Sequence, residues 1–205
     1  IDIGEVVLRK ACFATKKWVD AGLFEGRIAV NLSAVQFTQP NLVAMIASIL
    51  KESKLAAKYL ELEITEGTVM DSPQKAIDTM LQIRAMGIHL SLDDFGTGYS
   101  SLAYLKKFPL NTLKIDKAFV DDIETSEQGR NMVATIVTIA HNLGMQVVAE
   151  GVETNQQLSF LSGLRCEQLQ GYLYSKPLPE NDFQKYLLSF QITNQCRFSG
   201  TSLTL

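Results

Sequence analysis

Short apolar runs rich in β-branched residues alternate along the chain with longer stretches in which apolar positions recur every three to four residues. The first pattern predicts buried strands and the second amphipathic helices, so their alternation predicts repeated βα units around a parallel sheet. A helix over residues 3–20 opens the chain with a stripe of Val7, Leu8, Ala11, Cys12, Ala14, Trp18 and Val19, and a strand follows at 27–32. Helix 41–53, with Asn41 as cap after Pro40, precedes strand 59–65. Helix 72–86, with Ser72 as cap, Pro73 in the first turn and Gly87 as stop, precedes strand 88–93. A short helix at 102–107 halts before Pro109, strand 112–116 follows, and helix 128–142 ends at Gly144 ahead of strand 145–150. Helix 155–164, strand 166–170 and a last helix at 180–190, beyond Pro177 and Pro179, complete the pattern.

Six strands, each followed by a helix, admit an open doubly wound sheet or a closed barrel. The doubly wound sheet usually carries a phosphate-binding glycine pattern after its first strand, and Asn31-Leu32-Ser33 has none. The expected fold is therefore α/β, a TIM-like (β/α) barrel, with about six of the eight strands present. Residues 1–190 are assigned to the barrel, read as N-terminally truncated, and residues 191–205 to a polar C-terminal tail without period. The gap in such a barrel would leave strand edges for a neighbour, the tail or further sequence to cover.

Composition narrows the function classes. An apolar share of 46% and a charged share of 20% suit a packed domain, and a net charge of -3 offers no basic footprint for duplex nucleic acid. The apolar run at 132–140 is too short for a bilayer and no signal peptide is visible, so a soluble cytoplasmic domain is expected. Cys12, Cys166 and Cys196 are odd in number and lack metal spacing, which fits a reducing compartment.

The candidate chemistry lies at the strand ends. Asp93 and Asp94 stand where the run His89-Leu90-Ser91-Leu92 gives way to the glycine-rich segment Phe95, Gly96, Thr97, Gly98, Tyr99, Ser100, Ser101. Adjacent acids on a regular strand face opposite ways, but a bend at the strand's C-terminal end lets both reach one cation or a pair of cations. A solvated strand-to-loop junction is the plain alternative for such a dipeptide taken alone. Other strands, however, also end on polar groups: Asn31, Glu63, Lys114 with Asp116, Glu150, and Gln170. Acids gathered at one rim repel unless cations sit among them, and a donor set of hard oxygens favours Mg²⁺ or Mn²⁺ over zinc. A Schiff-base role for Lys114 is disfavoured because surrounding acids raise a lysine pKa. His89 and His141 receive no role, and Glu61 is expected on a different face from Glu63.

At these residues the chain resembles the EAL-domain cyclic di-GMP phosphodiesterases. The resemblance rests on Asn31-Leu32-Ser33, Glu61-Leu62-Glu63-Ile64-Thr65-Glu66, residues 93–101, Leu113-Lys114-Ile115-Asp116, Val148-Ala149-Glu150-Gly151-Val152-Glu153, Gln170-Gly171-Tyr172 and Ser175-Lys176-Pro177-Leu178, in that order. It implies a bacterial signalling hydrolase that linearises cyclic di-GMP to pGpG with two Mg²⁺ or Mn²⁺ ions. Carried over by motif, Asn31, Glu63 and Asp93 hold one metal, and Asp93 bridges to a second served by Asp94 and Glu150. Lys114, with Glu150 and Asp93, does the catalytic work by orienting or activating the attacking water. Glu66 braces the regulatory loop from Phe95 to Ser101, which couples dimer contacts to the metal site. Gln170, Asp116 and Glu153 complete the pocket or support it.

The resemblance further implies a homodimer and an upstream sensory or GGDEF-type domain in the parent protein, which can be membrane-anchored. One departure is plain: these 205 residues contain no Glu-Ala-Leu. The segment alone is therefore expected to bind metal weakly and hydrolyse poorly. A Glu-Ala-Leu about 25–30 residues upstream would favour the enzyme, whereas a substituted glutamate there would favour a non-catalytic cyclic di-GMP receptor. A regulatory dimerisation module on the same fold is the third class.

Overall fold

Six parallel strands, hydrogen-bonded in the order in which the chain makes them, form the sheet of the computed structural model, which describes residues 3–96 and 102–197. Helix α1 (Ile3–Asp20) leads into β1 (Ile28–Leu32), α2 (Ala34–Phe37) and α3 (Leu42–Ser53). Next come β2 (Leu60–Thr65), α4 (Glu66–Met70), α5 (Pro73–Ala85), β3 (His89–Phe95) and α6 (Leu102–Leu105). The second half comprises β4 (Thr112–Ile115), α7 (Lys117–Thr125), α8 (Glu127–Asn142), β5 (Gln146–Ala149), α9 (Asn155–Gly163), β6 (Gln168–Leu169) and α10 (Glu180–Arg197). A doubly wound sheet would reverse its strand order at a switch point; strict sequential order is that of a barrel wall. Among the described residues β1 and β6 are its two edges.

The core lies between the sheet's outer face and the helices. Leu32, Ile64, Leu92, Leu113 and Val147 belong to one buried cluster with Leu8, Ile46, Met80, Val133 and Leu161 from the surrounding helices. Burying a side chain of this size contributes about 1.5–3 kcal/mol, so this layer carries most of the stability.

Local sequence explains where the elements stop and start. Pro73 occupies the first turn of α5, and Gly87 follows its end at φ 87°. Asn41 and Ser72 precede their helices as expected, but neither side chain makes a capping hydrogen bond. The side chains that do cap are Ser33, Ser126 and Thr154, with Asp116 accepting from the Ala118 N–H at 2.8 Å to start α7. Helices α2, α4 and α7 are not among the elements expected from the sequence. The first two are four and five residues long, and α7 buries only Val120 and Ile123 beneath an acid-rich surface. The last helix continues to Arg197, past the fading of the apolar pattern at Phe190.

Candidate active site

A β-bulge solves the problem set by two adjacent carboxylates. Leu92 pairs with Leu113, and the next pair is Phe95 with Ile115, so two residues of β3, Asp93 and Asp94, oppose the single Lys114 of β4. Asp94 adopts φ 56°, the left-handed conformation that turns a bulged strand. The bend anticipated at the strand end is this bulge, which lets both acids serve the rim.

Three carboxylates converge on one ammonium there. Lys114 Nζ lies 2.6 Å from Glu63 Oε1, 2.6 Å from Glu150 Oε1 and 3.0 Å from Asp93 Oδ1. The first two are hydrogen bonds. The third is an ion pair off hydrogen-bonding alignment, so Asp93 Oδ1 is a buried acceptor with no hydrogen-bond partner. Lys114, Glu63 and Asp93 are 4%, 7% and 8% exposed, which makes this a buried charge cluster and not a surface pairing.

The charges follow from burial and proximity. Burial alone would lower the Lys114 pKa, but Glu63 and Glu150 outweigh it and hold the ammonium well above the usual lysine range. A lysine so held is a donor and a fixed charge, not a nucleophile, which removes the Schiff-base alternative. Burial raises the Glu63 carboxyl, with Lys114 partly offsetting it. Burial, then Asp93 and Asp116, raises Asp94, so negative charge is in excess at this rim.

The other expected residues lie at differing distances from this cluster. Asn31 is the register partner of Glu63 across β1 and β2, and Gln170 follows β6, its N–H donating to the Ala149 carbonyl at 2.8 Å. Gln170, Glu63 and Lys114 line an open interior cavity of about 740 Å³. Glu66, 3% exposed in the first turn of α4, accepts the Gly96 N–H on Oε2 at 3.2 Å. Asp116 caps α7 and lies near Asp94. Glu153 stands apart from the cluster, on the surface, 2.7 Å from Lys117 Nζ. Phe95 is buried and Gly96 turns at φ 96°, whereas Thr97, Gly98, Tyr99, Ser100 and Ser101 lie outside the described residues.

Glu61 corrects an expectation. It is two residues before Glu63 and so shares its face, as a period of two demands; it lines the same cavity and pairs with Arg27 Nε at 2.9 Å. The same count reveals two residues that no motif marks: Ser91, two before Asp93, and Thr112, two before Lys114, both inward and buried.

Among the described residues no three His, Cys, Asp or Glu side chains by themselves form a metal cage; the carboxylates meet at the ammonium instead. Their chemistry nevertheless fits a hard cation: the rim groups are oxygens, Asp93 Oδ1 is unsatisfied, and one lysine does not balance Glu63, Asp93, Asp94 and Glu150.

Known proteins resemble this chain in sequence and fold. The cyclic di-GMP phosphodiesterase NbdA of Pseudomonas aeruginosa is 43% identical over 185 residues, 90% of this chain and 24% of its own. The bifunctional diguanylate cyclase/cyclic di-GMP phosphodiesterase MucR of the same organism is 42% identical over 179 residues, 87% of this chain and 26% of its own. The chain thus spans about a quarter of the length of these relatives. A solved MucR phosphodiesterase structure, a c-di-GMP complex, superposes with a TM-score of 0.86 over 88% of this chain and 73% of that one at 42% identity. The manganese/cy-diGMP complex of Klebsiella pneumoniae BlrP1 gives 0.74 over 84% of this chain and 44% of that one at 30% identity. A profile of the EAL domain matches residues 1–177, and with these relatives it establishes that the chain belongs to the EAL domain family.

Proposed function

We propose that this domain is the catalytic part of a metal-dependent phosphodiesterase that hydrolyses cyclic di-GMP to linear pGpG. The observation that carries the reading is the convergence of Glu63, Asp93 and Glu150 on Lys114, with Asp94 turned onto the same rim by the bulge. It is supported by what NbdA and MucR are named for and by the c-di-GMP complex of the similar MucR chain.

Asn31, Glu63 and Asp93 would hold one divalent ion, and Asp93, Asp94 and Glu150 a second, with Mg²⁺ or Mn²⁺ suited to these oxygens. When bound, such ions polarise a phosphodiester and lower the pKa of water. The residues of the chain have separate tasks. Lys114, kept protonated, donates to the attacking water and the non-bridging phosphate oxygens and adds positive charge where the transition state gains negative charge. Glu66 ties the first turn of α4 to the start of the loop at Phe95 and Gly96, the route by which contacts of a homodimer would reach Asp93 and Asp94. Asp116 steadies Asp94, Gln170 closes the pocket beside β6, and Glu153 with Lys117 anchors the loop after Glu150. Among the described residues no helix is long and apolar enough to cross a membrane; a cytoplasmic position behind a sensory or GGDEF-type domain fits this reading.

The test is a phosphodiesterase assay on the full-length parent with manganese and cyclic di-GMP, alongside Asp93→Asn. Turnover in the parent and a loss of about 100-fold or more in the variant is the expected result. Equal rates would remove Asp93 from the site, and tight binding without turnover by the parent would make the domain a receptor.

A further inference from the structure

Among the described residues five buried side-chain oxygens have no hydrogen-bond partner, and three of them sit in one patch: Ser91 Oγ, Thr112 Oγ1 and Asp93 Oδ1. Ser91 and Thr112 are register partners on β3 and β4, exposed by 0% and 1%, and each stands two residues before a member of the charge cluster, Asp93 and Lys114. All four side chains therefore face the interior as a single quadrilateral. Its flanks are polar too. Glu63 is the register neighbour of Ser91 on β2, and Gln146 that of Thr112 on β5.

A dry polar atom in such a place is destabilising, and native interiors rarely leave one, let alone two hydroxyls and a carboxylate oxygen together. Direct pairing of the two hydroxyls would satisfy one donor and leave the other hydroxyl's proton and the Asp93 oxygen unserved. One water can serve all three atoms, because it can accept from both hydroxyls and donate to Asp93 Oδ1, and buried waters typically make about three hydrogen bonds. The site is polar on every side that the register defines, as a buried water requires.

We infer that Ser91 and Thr112 hold one internal water that hydrogen-bonds Asp93 Oδ1, and that the two hydroxyls are thereby positioning residues for the Asp93 carboxylate. The second half rests on the reading of Asp93 as a metal ligand. The water fixes Asp93 from behind, at the oxygen that Lys114 approaches off-line, and so limits the rotation of a carboxylate standing in a bulge.

The test uses the full-length parent, first without metal. Ser91→Ala and Thr112→Val each remove a hydroxyl with little change of shape, and each is expected to lower the thermal midpoint by about 2–4 °C. Because both act through one water, the double variant should lose little more than the worse single variant. Neutral or stabilising single changes, or losses that add in full, overturn the shared water. Manganese affinity measured by calorimetry tests the positioning role: Thr112→Val should bind about 10-fold more weakly, and Thr112→Ser, which keeps the hydroxyl, should restore affinity. Unchanged affinity in Thr112→Val, or no restoration in Thr112→Ser, overturns that role. The metal-free stability result stands whether or not the domain proves to be a phosphodiesterase.

Discussion

Two adjacent rows of the sheet, one residue apart along every strand, could hardly differ more. The outer row reads Leu32, Ile64, Leu92, Leu113 and Val147, each 2% exposed or less, while the inner row reads Asn31, Glu63, Ser91, Thr112 and Gln146. Barrel interiors are ordinarily filled with branched apolar side chains. Here the interior holds carboxylates, a lysine, hydroxyls and amides, so cohesion is left to the outer face, against the helices. The inner face is then free to carry charge at some expense in stability, provided its charges neutralise one another.

The largest break in that comparison comes from Lys114. Truncation to alanine leaves Glu63, Asp93 and Glu150 around a space with no counter-charge, and unpairing a buried charge typically costs about 3–5 kcal/mol. Chemical denaturation at neutral pH should show a loss of that order. The loss should shrink as pH falls into the carboxylate range, and added manganese should recover part of it by taking over the ammonium's role. A loss indifferent to both pH and manganese would mean that packing, not charge, explains Lys114.

Leu113, the preceding residue on β4 and on the opposite face, supplies the control. Leu113→Ala should cost about 2–5 kcal/mol, the range for a buried leucine. This loss should be the same at acid and neutral pH and unaffected by manganese. If the two variants show the same pH response, the division of labour between the faces is wrong.

How much of this was legible beforehand follows from period and geometry. Strand order, the inward Glu63, Lys114 and Glu150, and the apolar outer row all follow from counting by two and from the alternation of units. The same count, applied without error, places Glu61, Ser91 and Thr112 on the inner face as well. The bulge was legible only as a need, because Asp93-Asp94 says that a regular strand cannot serve both, not how the register shifts. Helix α7 was legible and was missed: Phe119, Val120 and Ile123 form an apolar stripe at helical spacing behind the cap Asp116, in a segment of only nine residues. The caps misled in part: Asn41 and Ser72 stand at the right positions, yet their side chains make no capping bond, since the φ and ψ of each depart from extended backbone. Nor can a sequence state that Lys114 lies 2.6 Å from two carboxylates; it can only place the charges on one rim.

The smallest expected effect concerns the floor of the inner face. His89 is the register partner of Glu61, and the charged groups that act on it are Arg27, Glu61 and Arg84. Burial first, and then Arg27 and Arg84, hold its pKa below the ordinary 6.5, with Glu61 opposing them. The unfolded chain therefore binds the proton more readily than the folded one, so stability contributed by neutral His89 is present above 6.5 and lost as pH falls below it. His89→Gln should remove that part of the slope. Urea midpoints of the two proteins should converge between about pH 7.5 and pH 5.5, the wild type falling further across the interval. The difference should be small beside that of Lys114→Ala, because His89 is only half-buried and solvent screens its neighbours. Parallel slopes would show that the floor of the inner face, unlike its rim, is electrostatically silent.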